Sequence, residues 1–219
     1  MKINVVKSVL DASDAIAAEN RKQMDGAGLL CINLLSAPGS GKTTLLQATI
    51  PRLGGGASSA VLVGDLQTTR DAERLGPVAA QVTQINTGRG CHLSPEQVAE
   101  GLRGLDLSAI EYLFIENVGN MVCPAAFDLG EHHRAALLSV PEGDDKVAKY
   151  PTLFQGASVI LLTKADLIGV LDFDIGRVEA DLSKTNTGAP LIHLSSKTGE
   201  GMDAWLAWLR EAKAAHGAG

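Results

Sequence analysis

The 219-residue sequence has no run of lysine or arginine: its 19 basic residues are scattered among 25 acidic ones, for a formal charge of -6. A chain with that balance has no general means of neutralising a phosphate backbone, so nucleic acid is excluded as an expected partner. It also lacks any apolar run near the roughly 20 residues needed to cross a bilayer. No charged-then-apolar leader opens it, and the expectation is a cytoplasmic protein with no membrane partner. Cysteine is scarce. Cys31, Cys91 and Cys123 are an odd number at irregular spacing, which excludes a disulfide framework and leaves metal or redox use open for two of them. Repeats and low-complexity tracts are absent as well.

What is present is a hydrophobic fraction of 45%, enough for a buried core, and the expected organisation is one domain over residues 1–219, with an N-terminal helix (1–27) packed on its outside. "KSVLDASDAIAAENRKQMDGAG" has apolar residues at helical intervals, and "LLCINLLS" is a nearly continuous apolar run of strand length. Further strands are expected in "AVLVGD", "VTQINT", "YLFIENVG", "ASVILLTKAD" and "PLIHLSS". Helices are expected in "SPEQVAEGLRGL", "DFDIGRVEADLSK" and "GMDAWLAWLREAKAA". This alternation predicts an α/β fold, a mostly parallel sheet flanked by helices, with ligands gathering where strands end. "GGGASS" reads as a surface loop, and "PEGDDKVAKYP" as an exposed excursion.

The chemistry begins after the first strand, at "SAPGSGKTTLL". Glycines at 39 and 41 let backbone N–H groups from Gly39 to Thr44, through Ser40, curl around phosphate oxygens at the positive end of the next helix. In such a loop Lys42 reaches the β/γ-phosphates and Thr43 can ligand Mg²⁺. Ser36 stands where the usual pattern begins with glycine. Asp65 in "VLVGD" and Glu116 in "FIENVG" each follow an apolar strand, where a carboxylate can hold Mg²⁺ or orient the attacking water, or else serve as a cap or turn former.

"TKAD" resembles the base-reading NKxD element of GTPases, with Thr163 in place of Asn. The resemblance implies that Asp166 accepts from the guanine N1 and exocyclic amine, that Lys164 lies along the ring, and that "SSK" (Ser195, Ser196, Lys197) contacts the guanine carbonyl. "ENVG" resembles a GTPase switch segment, in which Gly119 donates its N–H to the γ-phosphate. GTP is therefore preferred to ATP.

Cys91 and His92 adjoin in "NTGRGCHL", and Cys123 lies 31 positions beyond His92, just past the switch. Both segments follow strand ends, which share one rim in a parallel sheet. Two thiolates and an imidazole suit Zn²⁺ or Ni²⁺. The residues alone leave open that Cys91 and Cys123 are small near-core residues. Cys31, inside an apolar strand, reads as core. His132 and His133 in "GEHHR" read as a solvated turn or helix start, outside the site.

Taken together, "NLLSAPGSGKTTLL", "GDLQTTRDAERL", "NTGRGCHL", "FIENVGNMVCP", "DLGEHHR" and "EGDDKVAKYP" resemble the HypB family of hydrogenase-maturation, nickel-incorporation GTPases from about residue 29 onward. The resemblance implies the P-loop fold of the signal-recognition-particle/MinD class, hydrolysis of GTP to GDP, and a homodimer formed with GTP. It also implies nickel or zinc at Cys91, His92 and Cys123, with Mg²⁺ at Thr43, Asp65 and Glu116. The implied partners are a hydrogenase maturation factor and the hydrogenase large subunit. Lys146, in the EGxDK-type segment, is expected to reach across the dimer to the nucleotide. Some relatives carry a cysteine-rich or histidine-rich N-terminal metal motif; "MKINVVKSVL" shows neither, so the expectation places metal handling at the internal site. The alternatives are a related nickel GTPase for another target such as urease, whose CPH-type motif and "ESGGDN"-like switch differ from GCHL and ENVGN, and a zinc-stabilised module that does not hydrolyse. A nucleotide kinase would leave TKAD and SSK without a role.

Overall fold

The computed structural model describes residues 9–54, 58–65, 68–88 and 90–217. An 18-residue helix, Val9–Gly26 (α1), leads into Leu30–Ser36 (β1), which is buried at every position. A strand reaches that state only inside a sheet covered on both faces. The chain then alternates through Lys42–Leu53 (α2), Ser59–Asp65 (β2), Arg70–Leu75 (α3), Gln81–Asn86 (β3), Pro95–Arg103 (α4) and Tyr112–Glu116 (β4). The second half runs through His133–Ser139 (β5), Lys146–Lys149 (α5), Pro151–Gln155 (α6), Val159–Thr163 (β6), Ile175–Thr185 (α7), Leu191–His193 (β7) and Met202–His216 (α8). All strand pairs are parallel, in the order β3, β2, β4, β1, β5, β6, β7.

Side chains of β1 alternate between the two faces, as the pleat requires. Leu30, Ile32 and Leu34 pack with Leu45, Leu46 and Ile50 of α2 and with Trp205 and Leu209 of α8. On the other face Cys31 joins Met24 of α1 and Val98 of α4, while Leu35 joins Val147, Phe154 and Val178 of the helices α5 to α7. Asn33 lies between them on this second face, completely buried. The helix boundaries have local causes. Ser94 and Gln97 form a reciprocal capping box at the start of α4, with Pro95 at the first helical position, and the Asp174 carboxylate caps α7 by accepting from the Arg177 N–H.

Two features depart from the sequence expectation. β5, "HRAALLS", is a central strand that hydropathy did not single out, because it opens on His133 and Arg134 and keeps only a short apolar remainder. "PEGDDKVAKYP" is not an exposed excursion: it folds as α5 and the start of α6, with Val147 fully buried and anchoring it to the core. The expected loop "GGGASS" falls partly on residues 55–57, outside the described residues; Ser59 already belongs to β2.

Candidate functional site

The C-terminal ends of the strands form one rim, and the loop from β1 to α2 lies at its centre. Gly39 and Gly41 adopt φ of 77° and 97°, a left-handed backbone that glycine takes without a Cβ penalty. This curls the loop so that the N-terminal turn of α2 faces a cavity of about 530 Å³. Lys42 Nζ donates to Ser36 Oγ at 2.9 Å. The serine that replaces the usual first glycine thus holds the buried ammonium, whose pKa burial lowers.

Opposite, Thr43 Oγ1 donates to Glu116 Oε1 at 2.6 Å. Glu116 Oε2 is buried with no hydrogen-bond partner among the described residues, and burial pushes this carboxyl up to about 7. A buried acid left half-satisfied beside a hydroxyl, on a cavity that Asp65 also lines, suits a hard divalent cation. Asp65 Oδ2 meanwhile accepts from Thr68 Oγ1 at 2.5 Å.

A second cavity, about 280 Å³, adjoins the first across Gly41, Thr44 and Lys164, and Asp166, Ser195, Ser196 and Lys197 line it. The substitution of Thr163 for asparagine is accommodated directly: its hydroxyl donates to the Ser40 carbonyl at 2.7 Å and ties the end of β6 to the loop between β1 and α2. Lys164 has φ 56°, the only positive φ on a non-glycine among the described residues, and its Nζ donates to the Gly39 carbonyl at 2.7 Å. Such strain gathers where a ligand is to be clamped.

Along the rim, one ligand atom each from Cys91, His92 and Cys123 lies within 4.8 Å of the others. Cys91 Sγ is 3.5 Å from His92 Nδ1. A hydrogen bond to the Cys123 thiol raises the pKa of Cys91, and burial lowers that of His92. The imidazole is stacked on Phe127 with centroids 4.1 Å apart and planes at 12°. Asn120 joins the half-sites: its Nδ2 donates to the Cys91 carbonyl at 3.4 Å, and its Oδ1 accepts from the amides of Val122 at 2.8 Å and Cys123 at 3.4 Å. One step earlier, Gly119 presses on the phosphate loop, since a Cβ there would meet the Pro38 backbone at 2.8 Å.

The family model described as "CobW/HypB/UreG, nucleotide-binding domain" matches residues 30–193, three-quarters of the length. The chain belongs to the CobW/HypB/UreG family. Within it, the chain is 47% identical over 207 residues to the hydrogenase maturation factor HypB of Azotobacter vinelandii, covering 94% of this chain and 68% of that one. It superposes on the crystal structure of HypB from Helicobacter pylori in complex with nickel with a TM-score of 0.88 at 39% identity, over 92% of this chain and 95% of that one. The signal recognition particle receptor FtsY from Elizabethkingia anophelis, in complex with GDP, shares only the fold: its TM-score is 0.52 at 13% identity, over 80% of this chain and 65% of that one. The HypB resemblance and the P-loop class read from the sequence therefore hold.

Sequence reasoning missed several residues of this CobW/HypB/UreG site. Glu142, in the segment expected to be exposed, reaches the phosphate loop: its Oε1 accepts from Ser40 Oγ and Ser139 Oγ, each at 2.6 Å. Arg74 of α3 adds a cation to the phosphate cavity and donates to Thr44 Oγ1 at 2.9 Å. Its only sequence signal was its place in "GDLQTTRDAERL". Lys146 is not among the residues lining either nucleotide cavity; it pairs with Asp145 at 2.5 Å and lines a neighbouring hollow with Gly119 and Glu142.

His132 and His133 are not a solvated turn in this CobW/HypB/UreG member. They lie at the opposite end of the sheet, where His132, Asp25 and His216 draw together. His132 Nδ1 accepts from the Cys31 N–H at 2.8 Å, so in the neutral ring the proton sits on Nε2, 3.0 Å from Asp25 Oδ1. A nitrogen so protonated donates rather than ligates, and the cluster ties α1, the residue before β5 and α8 together instead of holding a metal.

Proposed function

We propose that this HypB-type protein is a GTPase of hydrogenase maturation whose nucleotide state governs the binding and release of nickel, with zinc as the competing ion. The observation that carries the reading is the short path between the two sites: Gly119 rests on Pro38 of the phosphate loop, and Cys123 of the metal cluster follows four residues later.

In this reading the amides of Gly39, Ser40, Gly41, Thr43 and Thr44 hold the phosphates, and Lys42 offsets charge as the β–γ bond breaks. Asp166 accepts from the guanine N1–H and amine, Lys164 covers the ring, and Ser195, Ser196 and Lys197 close the carbonyl side. Thr43, Asp65 and Glu116 would hold Mg²⁺, which supplies charge neutralisation at the β- and γ-oxygens. Asp65, which lines the same cavity as Lys42, orients the attacking water. Water adds to the γ-phosphorus, and GDP and phosphate leave. The Gly119 amide senses the γ-phosphate and draws Cys123 with it.

Cys91, His92 and Cys123 bind the cargo ion after both thiols lose their protons, so metal affinity falls as pH drops. Three ligands leave room for a fourth from solvent, a partner or a second copy of the chain. A homodimer formed with GTP would bring Lys146 across to the partner's nucleotide. A hydrogenase maturation factor and the hydrogenase large subunit are the proposed receivers, and the proposed setting is the cytoplasm. No described helix is long and apolar enough to cross a membrane.

The test is Ni²⁺ and Zn²⁺ titration of the wild type, Cys91→Ser and Cys123→Ser, each loaded with GDP and with a non-hydrolysable GTP analogue. Stoichiometric binding is expected only in the wild type, with affinity differing between the two nucleotides. Retained stoichiometric binding in both variants would remove the cysteines from the site. Equal wild-type affinities would remove the coupling.

A further inference from the structure

Asn33 is an amide in the middle of an otherwise apolar central strand, 0% exposed. Burying an amide is costly unless it is bonded, and a leucine would fill the place without that demand. Its partners run in two directions. Asn33 Oδ1 accepts from Asn117 Nδ2 at 3.4 Å, and its Nδ2 donates to Glu131 Oε1 at 3.3 Å.

Asn117 belongs to the switch segment, two residues before Gly119, and its Oδ1 accepts from the N–H of Leu93 at 3.2 Å, directly after His92. On the other side Glu131 Oε1 accepts from Arg134 Nε at 2.6 Å, and its Oε2 from the Leu129 N–H at 2.7 Å. The Arg134 guanidinium in turn donates to the carbonyls of Ala125 at 3.2 Å and Phe127 at 2.8 Å. Phe127 is the ring on which His92 stacks. The path therefore leaves at Leu93, runs through Asn117, Asn33, Glu131 and Arg134, and returns to His92 through the stacked Phe127 ring.

We propose that Asn33, Glu131 and Arg134 are positioning residues that transmit the placement of the switch segment to the His92 ring, so that nucleotide state sets the metal site through this path as well as through Cys123. The proposal rests on the nucleotide-controlled metal site proposed above. Buried polar chains of this kind have few alternative arrangements, because any shift leaves a low-dielectric group unpaired. A displacement of Asn117 is then followed by Asn33 and Glu131 rather than absorbed.

The experiment measures Ni²⁺ affinity by competition with a chromophoric chelator, in GDP-loaded and GTP-analogue-loaded protein, for the wild type, Asn33→Leu and Arg134→Lys. Asn33→Leu removes both amide bonds at similar volume; Arg134→Lys keeps the charge and loses the two-carbonyl fork. Both variants should still bind nickel, but the ratio of affinities between nucleotide states should move toward one by a factor of ~3 or more. A merely structural role would weaken both states alike and leave the ratio unchanged, and a wild-type ratio retained in both variants overturns the proposal. A ratio of one in the wild type overturns the underlying switch, and the relay with it. Hydrogen exchange in the wild type gives a reading independent of variant folding: protection of the Leu93 and Leu129 amides should change with nucleotide, and unchanged protection at both overturns the relay.

Discussion

Thr43 and Glu116 meet across the phosphate cavity, hydroxyl to carboxylate at 2.6 Å, and the second carboxylate oxygen is buried without a partner among the described residues. The contact joins the first turn of α2 to the end of β4 and leaves one strong acceptor, Oε2, unpaired at a residue that lines the cavity. Glu116→Gln keeps the shape and relieves a buried acid, so the variant should melt no lower than the wild type. GTP hydrolysis at saturating Mg²⁺ should nonetheless fall on the order of 100-fold. Steady-state phosphate release beside a melting curve checks both halves; unchanged hydrolysis would exclude Glu116 from the reaction.

Base choice should follow Asp166. Guanine offers it two donors, and Asp166→Asn presents one donor and one acceptor, a match for xanthine. GTP affinity should fall by ~100-fold or more while xanthosine triphosphate gains, because a site built to pair polar groups rejects a ligand that leaves them unpaired. Fluorescent-nucleotide competition reads the exchange, and equal losses for both bases would count against the assignment.

Phe127 is not among the expected metal ligands, yet it fixes the plane of His92. Phe127→Ala should lower nickel affinity ~10-fold, as removal of a ligand's orienting neighbour does. The stoichiometry should remain that of the wild type. A chelator-competition isotherm with unchanged affinity would show that the stack is incidental.

Acid sensitivity should be traceable to His132. Burial, with His216 of α8 and Arg21 of α1 nearby and Asp25 of α1 opposing them, pulls its pKa down to about 4 from 6.5. A depressed folded pKa gives stability that is complete above the unfolded value of 6.5 and is lost as pH falls toward 4, because the unfolded ring takes the proton first. The loss is on the order of 2 kcal/mol, with allowance for water beside the ring. The substitution His132→Asn places an amide oxygen near the position of Nδ1, keeps the Cys31 N–H paired and cannot titrate. Urea unfolding between about pH 7 and pH 4 should show a flatter dependence of stability on pH for the variant, and an equal dependence would locate the titrating group elsewhere.

The rim was legible in the sequence because its chemistry is local. "PGSGKTT" places glycines and lysine where one turn needs them, and "TKAD" and "ENVG" end apolar strands. The Cys91, His92 and Cys123 cluster was legible through the "GCHL" and "ENVGNMVCP" resemblance and because two strand ends share a rim, which brings Cys123 to Cys91 and His92 although it lies 31 positions beyond His92. The rest depends on contacts without a local signature. Arg134 looks like the polar start of an ordinary segment, yet it is a strand residue whose guanidinium ties two carbonyls of another loop. Asn33 reads as a blemish in an apolar run, and its partners lie 84 and 98 positions away. Glu142 reads as solvent-exposed because proline and acidic residues surround it, although its carboxylate accepts from the hydroxyls of Ser40 and Ser139.

Gly119 lies so close to Pro38 that no side chain fits between them. In the proposed switch, nucleotide occupancy is registered at this contact by bare backbone, with no side chain of residue 119 in between. In the same proposal the choice of ion belongs to other residues, with Cys123 four positions on and Cys91 and His92 beside it. On that proposal a single hydrogen atom in place of a Cβ keeps the timing of release, set at Gly119, separate from the choice of ion, set by Cys91, His92 and Cys123.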